Sequence, residues 1–198
     1  MTKMNRRTFV GLSTAALILP TVASAQMSER AAIELVDKLV TEINAAINSG
    51  RSEAQIIPVF EDIFSRYADV DTIARYTLGA DARSMSQRQL SAYTDAFQGY
   101  MARKYGKQFR DLIGGEIKVQ DAKTVRTFVE VETQAKLRGS APFEVSFLVT
   151  NRGGKPQFFN MYVEGINLLL TERSEIQALL DKRRGNVDRL IADLNSVG

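Results

Sequence analysis

Three residue types are missing from the 198-residue sequence: cysteine, histidine and tryptophan. Without cysteine, these residues can form no disulfide, no thiolate metal site and no thiol nucleophile. Without histidine, they lack the commonest general base and the commonest transition-metal ligand, and they cannot build a Ser-His-Asp triad. These absences argue against an enzyme, and we predict neither a metal ion nor any other cofactor.

Excess charge of either sign is also missing once the N-terminus is set aside. The formal net charge of +3 comes entirely from the first 25 residues, where Lys3, Arg6 and Arg7 are accompanied by no acidic residue. The rest of the chain has 23 basic and 23 acidic residues. It contains no run of basic residues interleaved with aromatic ones, which nucleic-acid binding would favour. We therefore predict no nucleic-acid partner.

Residues 1–25 have the pattern of a cleaved export signal: a basic start, an apolar run at 10–19 and a small-residue cleavage site at 23–25. The apolar run is too short to cross a bilayer as a stable helix. Residues 5–10, which include two adjacent arginines, resemble a twin-arginine signal. An ordinary secretory signal is the alternative. Either route predicts that residues 26–198 form the mature protein, in the periplasm.

Alternating apolar and polar residues predict an antiparallel meander with one dry face. The second strand, for example, has Val129 and Val131 between Glu130 and Glu132. Residues 151–155 are typical of a hairpin turn between the third and fourth strands. The four predicted strands are 116–120, 125–137, 143–150 and 159–163.

Helix signals lie on both sides of this meander. Serines at 28, 52, 86 and 174 stand in N-cap positions, and Pro58 predicts a kink or a late start in the second helix. The predicted helices begin near residues 29, 52, 72, 87, 174 and 187. Because the dry face of a sheet must be covered, we predict one α+β domain over residues 26–198, with helices packed on an antiparallel sheet of about four strands.

Features that could indicate chemistry also have simpler structural interpretations. Asp69 and Asp71 diverge at a helix start, where capping explains them. No helix follows Gly153-Gly154, so this pair indicates a turn and not a phosphate loop. The basic run 182–184 ends a helix, where cations are favoured, with contact to anionic lipid headgroups as the alternative. The apolar stripes are abundant enough for an internal cavity, but pattern alone leaves open whether they form only a core.

Two series of motifs, together spanning nearly the whole mature chain, resemble the MlaC family, also called toluene-tolerance proteins. The N-terminal series is 60–64, 68–79 and 87–90 with Phe97. The C-terminal series is 162–168, Arg173-Ser174, and Gly185 with Asp188, Leu190 and Ile191. One departure is at 81–83, where the sequence keeps the arginine but lacks the aromatic residue that commonly precedes it in the family.

The resemblance implies a fold related to the cone-shaped nuclear-transport-factor architecture, with helices over a curved antiparallel sheet and phospholipid tails held between them. It implies a periplasmic carrier, without catalytic residues, that maintains outer-membrane lipid asymmetry. The implied partners are phospholipid, an inner-membrane ABC transporter complex and an outer-membrane lipoprotein complex.

For such a carrier we predict that apolar residues of the sheet and of the longest helix line the tail pocket, while the headgroup stays in water at its mouth. The predicted lipid-binding residues are Val129, Val131, Val145, Phe147, Val149, Met161, Val163, Phe97 and Met101. Arg173 and Glu164 are predicted to pair with each other at the corner between the last strand and the following helix, with a contact to the lipid as the alternative.

Three alternatives remain at this point. The cargo could be a hopanoid or another polycyclic lipid, since a related family is associated with hopanoid synthesis. An enzyme on the same fold would need a buried acid or base in the cavity, and the sequence shows no convincing carboxylate pair. A purely structural envelope protein would contain no cavity.

Overall fold

The computed structural model describes residues 27–108 and 112–197. The export signal predicted for residues 1–25 lies outside this part of the chain. The helices are α1 (Glu29–Ile47), α2 (Glu53–Tyr67), α3 (Val70–Leu78), α4 (Gln87–Gln108), α5 (Leu168–Lys182) and α6 (Val187–Ser196). The strands are β1 (Glu116–Val125), β2 (Phe128–Lys136), β3 (Phe143–Thr150), β4 (Gln157–Val163) and β5 (Ile166–Asn167).

Several helices begin where their capping residues predict. The Ser28 hydroxyl accepts a hydrogen bond from the Ala31 amide at 3.2 Å, and the Asp69 carboxylate accepts one from the Thr72 amide at 3.2 Å. These bonds satisfy amide groups that have no partner inside the first turn of a helix. Helix α2 begins at Glu53 with Pro58 inside it, so the late start at Pro58 is wrong.

Helix α5 begins six residues earlier than its predicted Ser174 cap. Its N-cap is Asn167, whose side-chain oxygen accepts a hydrogen bond from the Leu170 amide at 3.1 Å. Ser174 lies inside the helix, and its hydroxyl donates to the Leu170 carbonyl at 3.0 Å. Three consecutive leucines follow Asn167, and their pattern does not distinguish a strand from a helix.

The sheet has five strands in the order β1-β2-β3-β4-β5, and every neighbouring pair is antiparallel. The α+β prediction is confirmed, with β5 as a short fifth strand. Glu164 and Gly165 join β4 to β5 with φ values of 49° and 79°, as a tight hairpin of this handedness requires. Strand β1 continues to Val125, because Arg126 and Thr127 form a turn where the sequence predicted an unbroken second strand.

The helices cover the sheet in two levels. Helix α1 packs on β1, β2 and β3, while α3 and α5 pack on β4 and on each other. Helix α4 packs mainly on α2 and α6, away from the strands. No helix in the described ranges combines the length and the apolar character that crossing a bilayer requires.

Candidate functional site

A cavity of about 560 Å³ lies between the sheet and the helices. This volume is in the range of small-molecule sites in proteins. The lining residues of the sheet include Ile117, Ala135, Phe143, Val145, Phe147, Phe158, Phe159, Met161 and Val163, and Leu137 lines the cavity directly after β2. Those of the helices include Leu39, Ile43, Phe60, Ile63, Phe64, Ile73, Met101, Ala102, Leu168 and Leu169.

The wall of the cavity is almost entirely apolar. Among the described residues, only Tyr105, Asn160 and Glu172 bring polar groups to it. Phe158 packs edge-on against Phe147, with ring centroids 5.6 Å apart, and makes part of an aromatic wall. Such a surface excludes water and suits hydrocarbon.

The cavity reaches solvent beside β5. Ile166 lines the cavity, and yet 60% of its surface is exposed. Leu137, Phe143 and Leu168 are half-buried and also line the cavity. An apolar ligand can therefore enter here with one end still in water.

Five of the nine predicted lipid-binding residues line this cavity, and four do not. The lining residues are Met101, Val145, Phe147, Met161 and Val163. The others are Phe97, Val129, Val131 and Val149, each completely buried in the core. Phe97 lies one turn before Met101 on α4, where it stacks against Tyr93 with ring centroids 5.9 Å apart.

A charged cluster closes the cavity between α4 and α5. Glu172 is 1% exposed, and its Oε1 accepts hydrogen bonds from Lys104 Nζ at 2.7 Å and from the Tyr105 hydroxyl at 2.5 Å. Lys104 also binds the outer carboxylate of Glu175, at 2.6 Å. Glu172 Oε2 has no hydrogen-bond partner in the part of the chain that the structure describes.

Burial and charge shift the pKa values of this cluster. Burial pulls the pKa of Lys104 down, but its hydrogen bonds to Glu172 and Glu175 outweigh burial and raise it above the ordinary value. Burial, and then the nearby Glu172 carboxylate, raise the pKa of Tyr100 to about 12. Lys104 is therefore cationic and Tyr100 neutral at physiological pH, and Lys104 is the cation that lies between the two carboxylates.

The sequence profile of MlaC proteins matches residues 34–196. The chain belongs to the MlaC family. Its fold is shared by the solved structure of a phospholipid-binding protein from Ralstonia solanacearum in complex with a phospholipid. That match has a TM-score of 0.71 at 16% sequence identity, and it covers 83% of this chain and 95% of the other. A search among curated proteins gave no match.

The corner between β4 and α5 of this MlaC-family chain is built differently from the prediction. No ion pair joins Arg173 to Glu164 in the described structure; Glu164 is exposed in the hairpin turn. The Arg173 guanidinium instead lies over the Tyr76 ring, 5.0 Å from its centroid, and reaches Gly79. It therefore joins α5 to the end of α3, a contact that sequence spacing does not reveal.

The basic run at residues 182–184 makes a contact that holds two helices together. Arg183 binds both carboxylate oxygens of Asp193, at 2.5 and 2.7 Å, and so ties the end of α5 to α6. This bidentate contact supports the interpretation as a helix end. In addition, the described residues contain no group of three or more acidic side chains placed to hold a metal ion.

Sequence reasoning missed two sets of cavity residues. Leu39 and Ile43 of α1, with Phe60 and Ile63 of α2, belong to apolar stripes that predict burial but not which space the stripe faces. Glu172 was missed because nothing in its local sequence distinguishes it from the exposed glutamates. A carboxylate between a threonine and an arginine on a helix, as Glu172 is, ordinarily points to solvent.

Proposed function

We propose that this protein is a periplasmic lipid carrier that holds phospholipid tails in its cavity and moves lipid between membrane complexes. The observation that carries the proposal is the nearly all-apolar cavity, open to solvent at one side. Membership of the MlaC family supports it, as does the shared fold with a protein solved in complex with a phospholipid.

The physical requirement for such a carrier is a dry surface. Two acyl chains have roughly thirty methylenes at ~0.8 kcal/mol each, so exposing them to water would cost about 25 kcal/mol. Only a pocket that nearly matches the bilayer interior allows a lipid to leave one membrane and reach another. The apolar lining supplies that match without any catalytic group.

Within this proposal the tails contact Met101, Val145, Phe147, Met161 and Val163. Phe97, Val129, Val131 and Val149 support the cavity walls from the core behind them. The phosphate headgroup stays in water outside Ile166, where the cavity opens. The headgroup therefore contributes little to binding compared with the tails.

The location and partners belong to the same proposal. Residues 1–25 direct export and are removed, leaving one domain over 26–198 in the periplasm. There the protein exchanges lipid with an outer-membrane lipoprotein complex and an inner-membrane ABC transporter complex, and it thereby maintains outer-membrane asymmetry. An enzyme on this fold is less favoured. Glu172 is a buried acid in the cavity, but Lys104 and Tyr105 already bind it, and no second acid or base faces it among the described lining residues.

Native mass spectrometry of the protein purified from the periplasm, with extraction of bound lipid, tests the proposal. We expect an adduct with the mass of a phospholipid and a mature N-terminus at Gln26. A polycyclic lipid in place of phospholipid would establish the hopanoid alternative. Protein that is free of lipid and takes none from phospholipid vesicles would overturn the carrier function.

A further inference from the structure

The cavity is smaller than the two tails of a phospholipid. Two acyl chains have roughly thirty methylenes, and a methylene fills about as much space as a water molecule, roughly 30 Å³, so two tails need on the order of 900 Å³. The cavity measures about 560 Å³. In this form it therefore takes one tail, and a second tail requires one of its walls to move.

The walls next to the sheet are tied to it by hydrogen bonds. The Asn44 side chain of α1 both donates to the Ile117 carbonyl of β1, at 2.9 Å, and accepts from the Ile117 amide, at 3.0 Å. At the start of α5, the Leu169 amide donates to the Asn160 side chain of β4 at 3.2 Å. Helices α1 and α5 are therefore held in place by the strands that they cover.

Helices α4 and α5 meet across a different kind of boundary, which is polar. Helix α4 packs on α2, α3 and α6, whereas α5 packs on α3, α6 and β4. Side chains bridge the two helices, and they form a polar seam made of Tyr100, Lys104 and Tyr105 on α4 with Glu172 and Glu175 on α5.

The polar seam reaches from the cavity wall to solvent, close to the mouth. Glu172 lines the cavity at 1% exposure, while Glu175 lies outside the lining and its side chain is 45% exposed. Lys104 binds both carboxylates. Leu168, which lines the cavity at the start of α5, lies one helical turn before Glu172. Separation of α4 from α5 here would open the cavity sideways, next to the mouth at Ile166.

A charged boundary separates at a lower cost than an apolar one. When an ion pair parts, water hydrates both charges, and this hydration offsets much of the lost attraction. When two apolar surfaces part, hydrocarbon is exposed to water and nothing offsets the cost. The polar seam is therefore the part of the wall that is best suited to open.

We propose that the polar seam between α4 and α5 opens to admit the second acyl chain, so that Lys104 and Glu172 determine how readily a two-chain lipid enters. This inference rests on the proposed carrier function. A one-chain lipid enters through the mouth with the seam closed. A two-chain lipid places one tail in the cavity and parts the seam with the other.

Replacing the charges of the seam with apolar side chains of similar size tests the proposal. The double variant Lys104→Met, Glu172→Met keeps the boundary filled but makes it apolar, so it should open less readily. Delipidated mature protein is given palmitoyl lysophosphatidylglycerol or dipalmitoyl phosphatidylglycerol, each delivered from methyl-β-cyclodextrin, and native mass spectrometry follows uptake over time. We expect the double variant to take up the two-chain lipid about tenfold more slowly than the wild type, with uptake of the one-chain lipid unchanged.

Another ion pair between helices provides the matched control. Arg183 of α5 binds Asp193 of α6, and both residues lie outside the cavity lining. The control variant Arg183→Met, Asp193→Met loses an ion pair of the same kind, and it should take up both lipids at the wild-type rates. Circular dichroism establishes that both double variants are folded.

A cross-link tests the same movement without an apolar seam. The sequence contains no cysteine, so Lys104→Cys and Glu175→Cys introduce one pair of thiols across the seam. Glu172→Gln in the same protein removes the charge that would otherwise lose its cation. A reducible bis-thiosulfonate linker between the two thiols should block uptake of the two-chain lipid but not of the one-chain lipid, and reduction should restore it.

The two lipids separate failure of this inference from failure of the carrier function. Two-chain uptake that neither the apolar seam nor the cross-link slows would overturn the inference, and so would equal slowing of both lipids. Either result leaves the carrier function standing. Wild-type protein that takes up no lipid of any kind would overturn both.

Discussion

The nine residues predicted to bind lipid divide into two regions with opposite packing. Both regions include residues of β3 and of the α4 stripe, so their sequence patterns are alike. The filled region is Phe97, Val129, Val131 and Val149; the hollow region is Met101, Val145, Phe147, Met161 and Val163. The comparison teaches that a periodic apolar pattern indicates which face is dry, but not whether the space in front of that face is occupied.

The covering helices show the same division. On α1, Ala32 and Val36 are completely buried and lie outside the cavity lining, whereas Leu39 and Ile43 line it. Helix α1 thus covers both regions with one stripe. The boundary runs along β3, where Val149 is in the filled region and Phe147 in the hollow one. Two residues along a strand separate close packing from open space.

Truncation should cost much more in the filled region than in the hollow one. Phe97→Ala should lower the free energy of unfolding by about 3–5 kcal/mol, because it opens a new void in close-packed core. Phe143→Ala should cost less than about 2 kcal/mol, because this half-buried ring already faces the cavity and forfeits fewer contacts. Urea unfolding of the delipidated proteins measures both values. Equal losses would show that the two regions are packed alike.

The charged residues in the wall of the hollow region should stabilise the fold only when Lys104 and Glu172 are both present. Lys104→Met leaves the buried Glu172 carboxylate without its cation, and we expect a loss of roughly 3 kcal/mol. Adding Glu172→Met removes the unpaired charge as well, so the double variant should recover most of that loss. The same unfolding experiment compares the three proteins. A double variant no more stable than Lys104→Met would mean that the charge of Glu172 is not the cause.

Enlarging a side chain should also cost more stability in the filled region than in the hollow one. Val131→Trp overfills the filled region and should cost about 1–3 kcal/mol or more. Val145→Trp has a cavity of about 560 Å³ to enter, so its cost should stay below ~1 kcal/mol while lipid uptake falls severely. Unfolding and uptake from labelled vesicles measure the two properties separately. Undiminished uptake by Val145→Trp would place the lipid elsewhere.

The smallest predicted change in the free energy of unfolding concerns a surface contact beside the hollow region. Glu42 of α1 binds Arg66 and the Tyr67 hydroxyl of α2, and the hydrogen bond from Arg66 lowers its pKa below the ordinary 4.5. A lowered pKa stabilises the fold above pH 4.5, and that stabilisation is lost as the pH falls through the folded-state value.

We therefore expect Glu42→Gln to be less stable than the wild type by under ~1 kcal/mol at pH 7, since the pair is exposed. The difference should shrink below pH 4.5. Unfolding curves at pH 7 and pH 3 measure it. A difference that does not change with pH would show that the contact acts through packing and not through charge.

Much of the fold could be predicted because its signals are local. The N-caps Ser28 and Asp69 and the alternation of β2 involve neighbours in sequence, and each appears where predicted. The start of α5 was wrong because Ser174 and Asn167 are both good caps, and the choice depends on the pairing of β5 with β4. The turn at Arg126 was missed because a positive φ at arginine has no glycine to indicate it.

The site was less predictable than the fold. The apolar stripes of the sheet and of α4 identified five cavity residues but also four core residues, because periodicity treats them alike. The burial of Glu172 could not be predicted, since it depends on Lys104 and Tyr105, about seventy residues away in the chain.

By itself, the sequence determined the helices and strands and the classes of chemistry that are excluded. Capping and periodicity set the helices and strands, and the missing cysteine and histidine removed whole classes of chemistry. Tertiary structure alone decided where the core is filled and where it is hollow, and which carboxylate is buried. The reason is that packing depends on what lies opposite each side chain across the layers, and those partners come from distant parts of the chain.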